Sequence, residues 1–397
     1  MALARAAIPV RSGWSSPFVR WQGALSELSS IDLAVDVTTR ALERSGIAAT
    51  DLDSVIVGWT VPSPEIFYGA PTIAARIGAG HTTGAMVSQA CATSVACVEA
   101  AALRVGAGID DACLVVTTDR TSNGPTLSWP RPSAPGGAPQ TEHWVLHSFE
   151  RDPWAGEAMI GTAEAVAREA GMSRGQLDEM TLLRHEQYTS ALGDDRAFQR
   201  RYMVPAQIPR RGADPLVIDS DRGVFDTTAE GLAKLRPVAP DGVVTFGSQT
   251  HPADGTAGLL VTTVDRARDL ADGQGIAHVL ATGTARVGAT RMPEAPVPAA
   301  HIALEWAGLT FRDLDAVTMH DPFAVNDVWF SHQTGIPPER VNERGASLIF
   351  GHPQGPTGAR LLVELLHVLA DRGGGVGLFT GCAAGDTGAA VVVRVGD

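Results

Sequence analysis

The chain has 397 residues, 44% of them hydrophobic and only 19% charged, with a mean hydropathy of +0.05 and a formal net charge of -13. Those values exclude a disordered polyelectrolyte, no apolar run reaches the roughly 18 to 20 residues of a membrane span, and the acidic balance argues against a nucleic-acid partner. Four cysteines without CxxC spacing or a Cys/His cluster make neither a disulfide framework nor a structural zinc site, so they read as reduced thiols in a cytoplasm.

In chain order, the first segment carries Arg5, Arg11 and Arg20 and reads as an ordinary first strand and loop rather than a transit peptide. Next comes ALERSGIAATDLDSVIVG at 41–58, a helix end with a Gly46 stop, a short DLD turn and an apolar strand. It aligns without a gap to ALEWAGLTFRDLDAVTMH at 303–320, an offset of 262 residues. The same offset sets SQACATSVACVEAAALRVGAG, from 88, opposite FGHPQGPTGARLLVELLHVLADRG, from 350. Each begins as a small-residue loop, runs into an Ala/Leu-rich helix and leads to another strand. Two similar strand–helix–strand halves imply duplicated α/β domains packed face to face, with buried strands.

Residues 120–242 differ in kind. A Pro/Gly/Ser-rich stretch precedes one long helix, GTAEAVAREAG into SRGQLDEMTLLRHEQYTSAL, and an arginine-rich loop with Arg200, Arg201, Arg210 and Arg211 follows. An insertion of that length reads as a functional cap. His143 and His147 stand at i, i+4, but their surroundings read as a solvated loop rather than a metal site.

Cys91 lies in a small-residue loop just before a helix, whose N-terminal amides and dipole favour a thiolate. Cys97 and Cys113 read as packing residues. His352, in GHPQGPTGAR, is placed by the repeat opposite Cys91 and is a candidate to accept its proton or to donate to an oxyanion. Cys382, in TGCAAGDTGAA, and His320, in MHDPFA, fall at strand or loop ends facing the same junction.

With these motifs in hand, the sequence resembles the thiolase family over nearly its whole length, most specifically in GHPQGPTGAR followed by CAAGDTGAA. The resemblance implies a thiolase fold: two duplicated halves in a five-layer αβαβα arrangement, 1–121 plus 243–265 and 266–397, with 122–242 as an inserted loop domain. It implies an acyltransferase that makes or cleaves 3-ketoacyl-CoA through an acyl-cysteine. Cys91 matches the nucleophile, His352 its activator, Cys382 the acid/base, and His320 the position of an asparagine in many members. The amides of Cys91 and Ala384 match the oxyanion donors of acyl transfer, and His320 with His352 those for the second substrate. Met159, Arg210, Arg211, Thr250 and Phe323 are the expected coenzyme A contacts. No metal or cofactor is implied beyond the coenzyme A thioesters themselves, and a homodimer or homotetramer is expected.

Departures bear on substrate. The turn after Cys382 reads AAGD rather than GGG, Ala158 and Thr250 stand where histidine and serine are common, and TTDRTSN replaces a glycine- and methionine-containing segment. Two alternatives follow: a decarboxylative ketosynthase-like enzyme, which shares the Cys-His-His set but needs no second thiol base, and a non-catalytic acyl-CoA-binding protein.

Overall fold

The structure is a computed structural model that describes residues 3–396. Nine strands form the path of its main sheet. In the first half these are β1 (Ala6–Pro9), β2 (Ser54–Gly58), β3 (Met86–Val87), β4 (Ala112–Arg120) and β5 (Ala253–Thr263); in the second, β6 (Ile276–Arg286), β7 (Ala316–His320), β8 (Gly375–Ala383) and β9 (Thr387–Val395). The spatial order is β7-β8-β9-β6-β1-β5-β4-β2-β3, and two short strands, Trp14–Ser15 and Val19–Arg20, also pair with β5. The halves share one topology: β2 runs parallel to β4 as β7 does to β8, and each half ends in antiparallel pairs leading to β1 or β6. Antiparallel pairing of β1 with β6 joins them edge to edge.

The repeat read from sequence is therefore a repeat of structure, with β2 and β7 at the same offset of 262 residues. Helices α1 (Ser30–Ser45), α2 (Thr93–Gly106), α3 (Met159–Glu169), α4 (Arg174–Ala191), α5 (Pro296–Ala307), α6 (Ala324–Thr334) and α7 (Pro356–Asp371) carry the argument. Gly46 and Gly308 end α1 and α5 in the left-handed conformation, at φ 65° and 70°, which a glycine adopts without a Cβ clash. The DLD turns also have a shared purpose: Asp53 accepts the amides of Asp111 and Ala112 at the start of β4, and Asp315 accepts the amide of Val376 in β8.

Side-chain alternation along the strands sorts the core into layers. Ile56, Val115, Leu259, Val261, Phe379, Val391 and Val393 face the central cluster around α2 and α7. Val55, Val57, Leu114, Val116 and Leu260 face the outer cluster with α1, while Leu378, Ala390 and Val392 face the one with α5. Helix, sheet, paired helices, sheet and helix make the five-layer αβαβα order, a mixed α/β thiolase-type fold. The apolar runs of β4 and β9 are buried because both faces are covered.

Residues 122–242 add no strand to the main sheet, and they correct three expectations. The single long helix is two, α3 and α4, because Gly171 turns left-handed at φ 65° and Ser173 starts α4 with a reciprocal capping box to Gln176. The Pro/Gly-rich stretch contains a hairpin, Thr126–Trp129 with Gln140–His143. His143 then caps a short helix, Trp144–Glu150, and His147 pairs with Glu142 at 2.7 Å, so neither histidine stands in a solvated loop. The arginine-rich loop is largely a second hairpin, Ala206–Arg210 with Ala213–Ile218.

Candidate active site

Cys91 is presented by a sharp turn between β3 and α2. Ala90 is left-handed at φ 45°, and Thr93 ties the turn by accepting the Gln89 amide at 2.8 Å and donating to the Ala90 carbonyl at 2.6 Å. A non-glycine residue in that region is strained, and the strain turns the thiol toward the centre of the molecule. Cys91 Sγ lies 3.1 Å from His352 Nε2 and 3.4 Å from Gln354 Oε1.

The histidine is held by its own loop. Its amide donates to the His251 carbonyl, and its Nδ1 lies 2.6 Å from Thr357 Oγ1. Donation from Nδ1–H to that hydroxyl leaves the Nε2 lone pair facing the thiol. Gln354 is left-handed at φ 68°, and the next amide, Gly355, donates at 2.9 Å to buried Asp119. Asp119 also accepts the amides of Thr60 and Val61, so it fastens the Gln354 turn to the first half. Sequence reading passed over Asp119; an acid at the end of an apolar strand was the available signal.

His320 stacks on His352 with ring centroids 4.0 Å apart. Its Nδ1 lies 2.8 Å from Ser347 Oγ, and that hydroxyl donates to Asp321 Oδ1 at 2.7 Å. The serine proton is thus committed to Asp321, so His320 donates from Nδ1 and keeps a bare, buried Nε2 without a protein partner. In this tautomer His320 offers a lone pair rather than a donor, which bears directly on its expected oxyanion role. Asp321 and Asp327 flank Arg184, all three fully buried; burial raises both carboxyls above their usual range, and repulsion from Asp327 adds to it at Asp321.

Cys382 is buried and accepts from Asn326 Nδ2 at 3.3 Å. Asn326, on the first turn of α6, was not singled out from the sequence, although it follows Phe323 by three residues. In the turn after Cys382, the backbone amide of Ala384, like that of Cys91 itself, acts on the Cys91 thiol in the direction that favours its thiolate. Asp386 does not enter the centre: its carboxylate accepts the amides of Thr290 and Arg291.

The electrostatics correct the expected thiolate. Burial pushes the Cys91 thiol up to about 12, outweighing the two amides, and drives Cys382 well above the usual thiol range. Burial also holds His320 down at about 3 and His352 well below the ordinary histidine range. The resting site is therefore neutral: two thiols and two imidazoles, with no preformed ion pair. Cys91, His320 and His352 have ligand atoms within 4.8 Å of one another, and the rings are only 28° from parallel.

A cavity of about 1060 Å³ lies on the far side of the His251 segment that holds His352, and none of Cys91, His320, His352 or Cys382 lines it. Thr250, His251, Leu348 and Ile349 line it, and the His251 carbonyl that holds the His352 amide belongs to the same wall. Thr250, one of the expected coenzyme A contacts, is among the cavity-lining residues. Phe323 and Met159 pack on the central core cluster and are not in the cavity lining. Arg210 and Arg211 stand exposed at a hairpin end and do not line it either; its arginines are Arg20 and Arg222, with Arg20 over the ring of Phe225 at 4.9 Å. Arg200 and Arg201 are engaged by Asp195 and Asp371.

A duplicated α/β frame with a cysteine and a histidine from opposite halves meeting at its junction is the architecture of the thiolase-type fold. Residues 10–265 match the thiolase N-terminal domain and residues 274–395 the thiolase C-terminal domain. The chain belongs to the thiolase family. It is 31% identical over 380 residues to an acetyl-CoA acetyltransferase of Allochromatium vinosum, covering 94% of this chain and 95% of that one. It is also 31% identical over 436 residues to a 3-ketoacyl-CoA thiolase of Escherichia coli, covering 98% and 96%. The crystal structure of human mitochondrial 3-ketoacyl-CoA thiolase in complex with CoA shares the fold, with a TM-score of 0.91, 24% identity and 99% of each chain covered.

Proposed function

We propose that the protein is an acyl-CoA C-acyltransferase that makes or cleaves 3-ketoacyl-CoA through an acyl-cysteine. The observation that carries this reading is the 3.1 Å contact between Cys91 Sγ and His352 Nε2, with a second thiol, Cys382, buried beside it. The Cys91 proton passes to His352 as the sulfur attacks the thioester carbonyl, and the amides of Cys91 and Ala384 receive the oxyanion. Cys382 gives its proton to the departing coenzyme A sulfur and becomes the thiolate that takes the α-proton of the second acyl-CoA. Protonated His352 donates to the enolate oxygen, and His320 holds a bridging donor there through its bare Nε2. The enolate carbon attacks the acyl-cysteine, Cys91 leaves and is reprotonated by His352, and Cys382 retains the α-proton. Protons balance without a metal or further cofactor. A decarboxylative condensation would leave Cys382 idle, which disfavours that alternative.

The cavity is the proposed path for coenzyme A, with Thr250 on its wall and Arg20 and Arg222, rather than Arg210 and Arg211, as phosphate partners. The three segments of the chain serve as two half-domains and a cap. Four free thiols fit a cytoplasmic protein. Strand β3 ends the sheet with an unpaired edge beside exposed Thr83, Gly84, Ala85, Ser88 and Gln89, which supports a homodimer formed there, beside the nucleophile turn. Among the described residues no helix is long and apolar enough to cross a membrane.

The test is intact-protein mass after incubation with acyl-CoAs of increasing chain length, paired with a thiolysis panel of 3-ketoacyl-CoAs. An acyl adduct on Cys91 and turnover of at least one chain length are expected. The absence of any adduct across the panel favours a binding protein.

A further inference from the structure

We propose that Asp152, carried by the cap, is a positioning residue for the oxyanion turn of the second half; the inference rests on the acyl-transfer reading above. The turn Ala383–Thr387 has two left-handed residues in succession, Gly385 at φ 82° and Asp386 at φ 56°, between the paired residues Ala383 and Thr387, and the Thr387 hydroxyl donates to the Ala384 carbonyl at 3.2 Å. Two carboxylates fix it from outside the strand pair. Asp386 turns away from the centre and accepts the amides of Thr290 at 3.1 Å and Arg291 at 2.8 Å, while its carbonyl accepts the amide of Val287. Asp152 reaches in from the cap: its Oδ2 accepts the amide of Gly385 at 2.9 Å. That amide is the neighbour of the Ala384 amide, which favours the charged form of the Cys91 thiol. The two peptide planes share the Ala384 Cα, so holding the Gly385 N–H narrows the directions open to the Ala384 N–H, and Asp152 thereby helps to orient a donor that it does not touch.

Asp152 is itself immobilised. Its Oδ1 accepts the amides of Trp154 and Ala155, its own amide donates to Glu157, its carbonyl accepts from Gly156, and it is almost wholly buried. The loop it belongs to is clamped on the second half by Arg286, whose guanidinium lies 4.0 Å from the ring centroid of Trp154. Arg286 ends β6, one residue before Val287, so the cation–π contact and the Asp386 bonds converge on the same short connection. The cap thereby reaches acyl transfer through the turn as well as through the cavity.

Asp152→Asn is the decisive variant because it is nearly isosteric. An amide has one carbonyl oxygen, so it satisfies Gly385 or the Trp154 and Ala155 pair but presents N–H groups to the other. The expected result is that acylation of Cys91 by an accepted acyl-CoA slows by about tenfold with KM changed by less than about twofold, and that alkylation of Cys91 by iodoacetamide at fixed pH slows as well, since the Ala384 amide no longer favours the thiolate. Asp152→Ala gives the same split if it folds. Acylation of the Asn variant at the wild-type rate, or a loss confined to KM, overturns the proposal. Failure of the wild-type protein to acylate at all sinks the acyl-transfer reading instead, and the alkylation arm then still reports whether Asp152 orients the Ala384 amide.

Discussion

The two halves share strand order, helix stops and DLD turns, yet they contribute unequally to the site. The first supplies Cys91 on a strained turn that remains partly open, whereas the second supplies both histidines, the second thiol and the Ala384 amide, with Cys382, His320 and His352 each no more than 5% exposed. Equivalent positions show how this is done. His320 ends β7 where Gly58 ends β2, and a Cβ on Gly58 would come within 2.7 to 2.9 Å of Thr93, Cys97 and Thr117. The second half makes room for its histidine with Gly381, where a Cβ would meet that of His320 at 2.8 Å. Duplicated backbones offer equivalent strand ends; packing around Gly58 leaves no room for a side chain in the first half, while Gly381 makes room for His320 in the second.

The largest effect should come from breaking each half's thiol in turn. Cys91→Ser is expected to abolish the stable acyl adduct, lowering turnover by about 10⁴-fold or more, while Cys382→Ser retains the adduct and loses α-proton exchange and condensation. Exchange of deuterium into acyl-CoA, set beside intact mass, separates the two; equal loss of adduct in both variants would remove the division of labour.

Alkylation against pH sharpens the same comparison. With the Cys91 thiol near 12 and His352 held neutral, the rate should climb about tenfold per pH unit from pH 6 to 9, without the plateau of a preformed ion pair. Peptide mapping should find Cys91 modified first and Cys97 and Cys113, both fully buried, unmodified in the folded protein.

Gly58→Ala asks whether the first half can accept what the second carries. The close approach of three side chains predicts a loss of about 1 to 3 kcal/mol in urea unfolding. A smaller effect is expected of Ser347→Ala, which frees His320 Nδ1 from its fixed tautomer. Condensation should slow by about tenfold with Cys91 acylation little changed, as burst kinetics would show.

Much of this was legible in the sequence. The repeat, the glycine stops and the loops of Cys91 and His352 are local patterns, and the glycine stops and DLD aspartates make corresponding bonds in both halves. The cap was read less well: Gly171 with Ser173 broke a helix whose apolar pattern ran on, and two hairpins hid in proline-rich and arginine-rich segments whose pairing no periodicity announces. Asp119, Asp152 and Asn326 escaped notice because each acts on an amide or thiol far away in the chain.

By itself the sequence determined the duplicated α/β frame and the family and nominated the four candidate reactive side chains, since these rest on local pattern and motif. Tertiary structure decided their state. Burial, which depends on the closed packing of both halves and the cap, keeps the thiols protonated and the imidazoles neutral against the pull of a helix N-terminus. It also decided which arginines reach the cavity, Arg20 and Arg222 rather than Arg210 and Arg211, because a hairpin carries the latter pair outward while residues some 200 positions apart close the wall.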